Sequence, residues 1–260
     1  MADSLNSFIL ATYNLRCPSD KTPPHTWSER KDRCRKVVAK NDFDIFGVQE
    51  PVRYQIDDLI RDTGYAFIGG GRDDFQDQGE FSAIIYKTER FEVLQSGTFG
   101  LSETPDIPKV LSWDAAYPRI ATWGLFRDRK SGKEFVYYNT HLDHISELAR
   151  INGFKLLVEH AQKNVANRPV IITGDFNTTP GTPTYLAAAA LLNDAAKVTK
   201  TPHTGPGMTF NYWGTATKDE PIDYIFVSSD IRVLTHRTDD TRFPEGFASD
   251  HYPVIAELQL

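Results

Sequence analysis

Short apolar runs rich in β-branched and aromatic side chains recur along the chain, and each is closed by polar residues. Phe8 to Asn14 reads as the first strand and Asp44 to Glu50 as the next. Between them, Trp27 to Lys40 has helical spacing, with Arg30, Arg33 and Lys36 expected on its wet face. Pro51 opens a second helix, where its missing N–H does no harm. Strands are expected around Ser82–Tyr86, Phe91–Ser96, Ile120–Arg127 and Phe135–His141, the last two joined as a hairpin at Ser131-Gly132. Ser146 to Val165 is the strongest helical segment, with Leu148, Ile151, Leu156 and Val158 along its length. Arg168 to Thr173 is a short strand running into Gly174-Asp175-Phe176-Asn177, and an Ala-rich helix follows near Thr184–Leu192. Strands near Ile222–Val227, Ile231–His236 and Pro253–Leu258 complete the chain. Strand and helix alternate early and hairpins dominate late, so an α/β (α+β) architecture of mixed sheets flanked by helices is expected, not an all-parallel doubly wound sheet. No repeat, low-complexity tract or linker divides the chain, so residues 1–260 are expected to form one domain.

Composition narrows the function classes. The chain has 40% hydrophobic and 25% charged residues, as ordinary globular proteins do. Net charge is −6, and no basic stretch is long enough for a duplex binder held by phosphate contacts. Acidity does not exclude a nuclease, since active-site carboxylates contribute to it and a bound divalent ion offsets them locally. Cys17 and Cys34 are the only cysteines, so there is no disulfide framework. No apolar segment is long enough to span a bilayer, and Met1 to Asn6 lacks the basic and apolar regions of a signal peptide. Cytoplasmic residence is therefore the default expectation, with no membrane and no obligate protein partner.

The chemistry sits at the strand ends. Asp175 and Asn177 point the same way at the mouth of a sheet, a pair suited to a metal, a water or a phosphate, or simply to capping a turn. Strand one ends in Asn14 and strand two in Gln49-Glu50. Alternation along Tyr137 to Asp143 puts Asn139, His141 and Asp143 on one face. Asp223 opens a late strand, and Asp250-His251 precedes the last one. Singly, each has a structural reading, as a cap or a satisfied core group. Together they suit metal-assisted phosphoester cleavage. Hard oxygen ligands without a cysteine cluster favour Mg²⁺ or Mn²⁺ over Zn²⁺. A carboxylate can align the attacking water, and histidines can stabilise charge and move protons.

Asn14, Gln49-Glu50, Asn139-Thr140-His141-Leu142, Gly174-Asp175-Phe176-Asn177, Ile222-Asp223-Tyr224 and Ser249-Asp250-His251 occur in the order that resembles the endonuclease/exonuclease/phosphatase superfamily. The resemblance runs from Phe8 to Leu258 and is closest in motif form to its nocturnin/deadenylase-type branch. It implies a four-layer αββα sandwich, DNase I-like, with the site at one end of two packed sheets. It also implies roles. Glu50 would be the main metal ligand, assisted by Asn14 and Asp250. Asp175 would position the nucleophilic water, with Asn177 beside it and the phosphate. His141 and His251 would transfer protons and stabilise the phosphate, and Asp223 would orient His251. Glu80 resembles a glutamate that supports the other histidine, His141, although an exposed glutamate beside Gly79 is an equal reading.

Substrate signals are sparser. Arg119 suits a bidentate phosphate clamp. Gly69-Gly70-Gly71-Arg72 either brings Arg72 to a ligand or is a plain loop, Asn139 joins the expected substrate-binding residues, and Asp143, like Glu80, is expected in a supporting role. Trp113, Tyr117, Phe210, Tyr212 and Trp213 are either core residues or stacking platforms. The expected activity is a metal-dependent phosphoesterase acting on a nucleic acid or nucleotide, as a short single strand or a mononucleotide. Sugar-phosphate, inositol-phosphate or phospholipid hydrolysis is the alternative, and a non-catalytic binding module is the contrasting class.

Overall fold

The computed structural model describes residues 6–164 and 168–260. The expected helix end at Val165 and positions Met1 to Leu5 lie outside the described residues. Twelve strands form two six-stranded sheets among the described residues. In chain order they are β1 Ser7–Asn14, β2 Ile45–Gln49, β3 Tyr65–Ile68, β4 Ile84–Lys87, β5 Phe91–Gly100, β6 Ile120–Asp128, β7 Glu134–His141, β8 Val170–Asp175, β9 Asn193–Asp194, β10 Asp223–Val227, β11 Arg232–Thr238 and β12 Val254–Gln259. The helices are α1 Trp27–Asn41, α2 Arg53–Ile60, α3 Glu147–Asn164, α4 Pro183–Ala189 and α5 Ala195–Val198.

The sheets have the same plan. One runs β11-β12-β1-β2-β4-β3, the other β9-β10-β8-β7-β6-β5. Each has a single parallel pair at its centre, β1 with β2 and β8 with β7, and antiparallel neighbours on either side. The C-terminal ends of the central strands therefore emerge together, alongside the N-terminal ends of β10 and β12. The strand-end polar residues are gathered by this arrangement.

Three apolar layers hold the sandwich. Phe8, Leu10, Phe126, Phe135, Tyr137 and Ile225 fill the space between the sheets. Trp27, Cys34 and Val37 of α1 and Ile56 and Leu59 of α2 cover one outer face. Phe154 and Leu157 of α3 and Tyr185 and Ala188 of α4 cover the other. The layers are thus helix, sheet, sheet, helix. In α3 the buried line passes through Ala149, Phe154, Leu157 and Ala161, whereas Leu148 is half exposed. Helix α4 begins at an N-cap Thr182, whose side chain accepts from the Tyr185 N–H, followed by Pro183 in the first turn.

One sequence expectation fails on α1. Arg30 and Arg33 are buried, not on a wet face. Arg30 donates to the carbonyls of His25, Leu15, Arg16 and Ala248. Arg33 donates to those of Glu245 and Pro24. The loops before α1 and β12 cross this helix and expose carbonyls that no sheet satisfies, and the five-donor guanidinium satisfies them. Amphipathic spacing cannot reveal that demand. No helix among the described residues is long and apolar enough to cross a membrane.

Candidate active site

A cleft of about 530 Å³ opens at the end of the sandwich where the central strands emerge. Glu50, Asp175, Asn177, His141, Asp250 and His251 line it, as do Arg72, Glu80 and Arg119. Three of its residues, Arg16 (φ 59°), Glu50 (φ 72°) and Asn177 (φ 49°), have left-handed backbones without being glycine. Such conformations cost energy and concentrate at functional sites.

The carboxylates form its floor. The Asn14 amide donates to Glu50 at 3.0 Å and to Asp175 at 3.1 Å, so residues from the two sheets meet beneath the cleft. The Asn14 side-chain Oδ1 accepts from the Arg16 N–H. Glu50 also accepts from the Cys17 N–H at 2.9 Å. Burial works against its charge, but the Asn14 hydrogen bond, the nearby His251 and the Cys17 N–H together hold its pKa below the ordinary value. Asp250 goes the other way: burial raises its pKa, and Glu50 adds to this against the pull of His251. The Arg16 guanidinium stands 3.7 Å from Asp250 and 3.9 Å from Glu50, and at 3.0 Å from Asp20.

The histidines stand over Asp175. His251 Nδ1 is 2.8 Å from an Asp223 oxygen, and its Nε2 is 3.7 Å from Asp175. Burial opposes charge on His251, yet Asp223 and then Asp175 and Asp250 outweigh it and raise its pKa to about 10. Asp175 is shifted upward by burial and by the charge of Asp223. His141 behaves oppositely. Burial, then Arg119, His251 and Arg72, push its pKa well below the usual value, so it is neutral. Its Nε2 lies 3.4 Å from Asp175 and 3.0 Å from the Asn177 amide nitrogen. Asn177 further donates to the Leu142 carbonyl, and its own N–H is held by Asp175.

The opposite wall is cationic and aromatic. Arg72 donates to Glu80 at 2.8 Å and lies over the Tyr117 ring at 5.1 Å. Arg119 sits 3.1 Å from His144 and 3.6 Å from Asp143. Asp143 is buried and also accepts from the N–H groups of Ala116, Ile145 and Ser146.

Two expectations are corrected here. Asn139 does not reach the cleft. It is fully buried between the sheets, where its oxygen accepts from Gln49 and Thr173 and its nitrogen donates to the carbonyls of Val48 and Ala83. Strand alternation does put it on the same side as His141, but two residues deeper, where the second sheet covers it. Glu80 does not hold His141: it is committed to Arg72, and His141 Nδ1 is buried without a hydrogen-bond partner. Asp143 lies behind Arg119, where it secures the loops and does not face the cleft. Arg16, Cys17, Ser19, His144 and Ile222 line the cleft although sequence reasoning did not select them. They lie on loops, where no periodicity marks them. The one available signal was adjacency, Arg16 to Asn14 and His144 to Asp143.

The site residues fit a hard divalent cation. Glu50, Asp175 and Asp250 offer carboxylate oxygens to one cleft, and their mutual repulsion is offset only in part by Arg16. Glu50, His141 and Asp175 can bring one ligand atom each within 4.8 Å of one another, as can Asp175, Asp223 and His251. As placed, Asn14 turns its nitrogen toward the carboxylates, so ligation by its oxygen requires the amide to rotate.

Comparisons with known proteins identify the family to which this fold belongs. The chain is 35% identical, with a TM-score of 0.93, to an endonuclease/exonuclease/phosphatase from Bacteroides vulgatus, over 98% of this chain and 99% of that one. It is likewise 35% identical, with a TM-score of 0.92, to the mannosyl-6-phosphatase Bt3783 of Bacteroides thetaiotaomicron, over 97% of this chain and 100% of that one. Drosophila melanogaster Nocturnin is 26% identical over 183 residues, which are 66% of this chain and only 27% of that protein's length. The model of the Endonuclease/Exonuclease/phosphatase family matches residues 11–251, and the chain belongs to that family of phosphoester hydrolases.

Proposed function

We propose that the protein is a Mg²⁺- or Mn²⁺-dependent phosphomonoesterase acting on a small sugar phosphate. The observation that carries this reading is the convergence on one cleft of Glu50 and Asp250 with the Asp223–His251–Asp175 chain. A divalent ion held by Glu50 and Asp250, with Asn14 beneath, would polarise the phosphoryl oxygens and offset the carboxylate charge. Asp175 orients the attacking water and accepts its proton as the new P–O bond forms and the P–O bond to the sugar breaks, and solvent water supplies the proton to the departing sugar oxygen. The raised pKa of Asp175 suits that task. His251, kept protonated by Asp223, donates to a phosphoryl oxygen and counters the charge that builds there. Neutral His141 and the Asn177 amide complete the wall that orients the phosphoryl group.

Among substrate classes, a compact monoester fits better than a nucleic-acid strand. Each arginine in the cleft is already matched to a carboxylate: Arg16 to Asp20, Arg72 to Glu80, Arg119 to Asp143. No surplus of basic charge remains to follow a polyanionic backbone. The 35% identity to a mannosyl-6-phosphatase over nearly the whole chain supports the same choice. The test is hydrolysis with Mg²⁺ or Mn²⁺ across hexose phosphates, nucleoside monophosphates and single-stranded RNA. Asp175→Asn and His251→Ala are each expected to lower kcat by roughly 10²- to 10⁴-fold. Preferred cleavage of RNA, or unchanged kcat in both variants, would overturn the reading.

A further inference from the structure

Two exposed aromatic side chains flank the cleft without serving the core: Tyr117 lines it, and Tyr212 adjoins Phe210, which lines it. Tyr117 is 50% exposed and Tyr212 is 58% exposed. The Tyr117 ring carries Arg72 at 5.1 Å and His144 stacked at 5.7 Å yet keeps half its surface open, whereas the tryptophans of these two loops are committed internally. The Trp213 ring stacks on His25 at 4.0 Å with 7° between planes, and Arg30 lies over it at 5.4 Å. Trp113 is half-buried, and its carbonyl accepts from the Ser146 hydroxyl. Tyr212 instead has its ring 5.4 Å from Phe210, which lines the cleft and lies 4.8 Å from the His251 ring. Phe210 and Tyr212 together thus extend an aromatic surface outward from the catalytic imidazole.

The backbones that present these rings are strained in the same way. Trp113 and Asp114, just before Tyr117, have φ of 56° and 60°, and Tyr212 and Trp213 have φ of 48° and 58°. Such residues persist only where their surroundings over-determine them. At Trp213 the His25 stack does so. At Tyr212 the ring is on the surface, and the backbone is held by the site itself: the Asp250 carbonyl accepts from the N–H groups of Asn211 at 2.7 Å and Tyr212 at 3.1 Å. On the far wall, Asp143 accepts from the Ala116 N–H and stands 3.5 Å from the Tyr117 nitrogen. Tyr212 is therefore positioned from Asp250 at the base of the cleft, and Tyr117 from Asp143 behind Arg119.

The space between them suits a ring larger than a phosphate. Tyr117 precedes β6, and Phe210 is bridged to His251 just before β12. Both line the cleft of about 530 Å³, far more space than a phosphate fills. Arg72 and Glu80, beside Tyr117, offer a donor and an acceptor side by side, an arrangement that matches adjacent hydroxyls.

We propose that Tyr212, with Phe210, and Tyr117 opposite form the subsite that binds the sugar ring of the leaving group, so that these aromatics determine specificity and the residues at the base of the cleft do the chemistry. This rests on the phosphomonoesterase reading. Tyr212→Gly is the sharpest test, because glycine adopts the left-handed backbone without cost. The variant should melt no lower than wild type, yet its KM for a hexose 6-phosphate should rise roughly 2- to 10-fold, with KM for glycerol 3-phosphate unchanged. Tyr212→Phe should restore the hexose phosphate KM, and Tyr117→Ala should repeat the selective loss. An equal rise for both substrates, or none for either, overturns the subsite. A wild-type preference for a nucleoside monophosphate that Tyr212→Gly abolishes overturns the sugar and assigns the surface to a base. Calorimetric titration of the metal-free protein with hexose 6-phosphate separates the two readings. Binding lost in Tyr212→Gly without turnover in wild type keeps the subsite and overturns the catalytic reading. Turnover of all monoesters that is indifferent to Tyr212 does the reverse.

Discussion

Replacing Asn139 with alanine separates a structural link from a substrate contact. Its amide uses all four hydrogen-bonding positions: Gln49 at 2.7 Å, Thr173 at 3.0 Å, and the carbonyls of Val48 at 2.9 Å and Ala83 at 3.0 Å. Some partners keep a second bond. Gln49 retains Thr12 at 2.9 Å, and Thr173 retains Tyr137 at 2.9 Å. The Ala83 carbonyl still accepts from the Val48 N–H at 2.9 Å. The loss is therefore less than four full bonds. Leaving a buried polar group unpaired costs about 1–3 kcal/mol, and a truncated side chain between two sheets leaves a void as well. Asn139→Ala should lose about 2–4 kcal/mol of stability, equivalent to a fall of about 4–16 °C in Tm for a chain of this size. Substrate KM, measured well below the new Tm, should remain within about twofold of wild type. Urea unfolding monitored by tryptophan fluorescence, with steady-state kinetics on the same preparation, makes the comparison. A variant that keeps wild-type stability while its KM rises tenfold would refute the buried link and return Asn139 to the substrate face.

Three further outcomes are expected. Gly47→Ala should destabilise by about 1–3 kcal/mol, because an added methyl would stand 2.3 Å from Asn139 Oδ1 and 2.7 Å from Thr173 Oγ1, and thermal melts would show it. At the other end of β6, Arg90 grips Asp128 with bonds of 2.7 and 3.2 Å, and although burial opposes the charge, Arg90 and Ser131 hold the Asp128 pKa below its ordinary value. That stability is fully present above the unfolded-state pKa of about 3.9 and is lost as pH falls through the lower folded value, so urea unfolding of Asp128→Asn against wild type should show a gap of about 3–5 kcal/mol at pH 7 that narrows only in strong acid. Adding Mg²⁺ or Mn²⁺ at about a hundred times its dissociation constant should stabilise the wild type by about 2.7 kcal/mol, and Glu50→Gln should abolish most of that thermal shift. A shift that survives in Glu50→Gln would move the metal away from Glu50.

What the sequence disclosed depended on which side chains had to obey a period. The central strands β1, β2, β7 and β8 are buried on both faces, so their apolar runs are continuous and their polar ends conspicuous. Asn14, Glu50, His141 and Asp175 were legible for that reason, and the parallel pairing of those strands explains why they meet. The strand β9 and the four-residue α5 are too short to carry a period, and they escaped notice. Arg30 looked solvated because its position on α1 was read without the loop carbonyls that surround it. Asn139 and His141 share a face, but alternation reports side and not depth, and depth decides which of the two meets substrate.

The same distinction separates chemistry from specificity in this cleft. The residues at its base are fixed from the sheets: Asp175 stands opposite Asp223 in the β8–β10 ladder and beside His141 in the β7–β8 ladder. A rigid ladder holds such groups to the small tolerances that proton transfer and charge stabilisation require. The walls come from loops before β6 and β10 and between β3 and β4, held to the base by Asp143 and the Asp250 carbonyl. Substitutions in those loops can recast the leaving-group pocket without disturbing the ladder. Activity towards phosphate esters as a class should therefore survive changes at Tyr117 and Tyr212 that alter which ester is preferred, whereas a change at Asp223, whose carboxylate hydrogen-bonds His251, should depress every substrate alike.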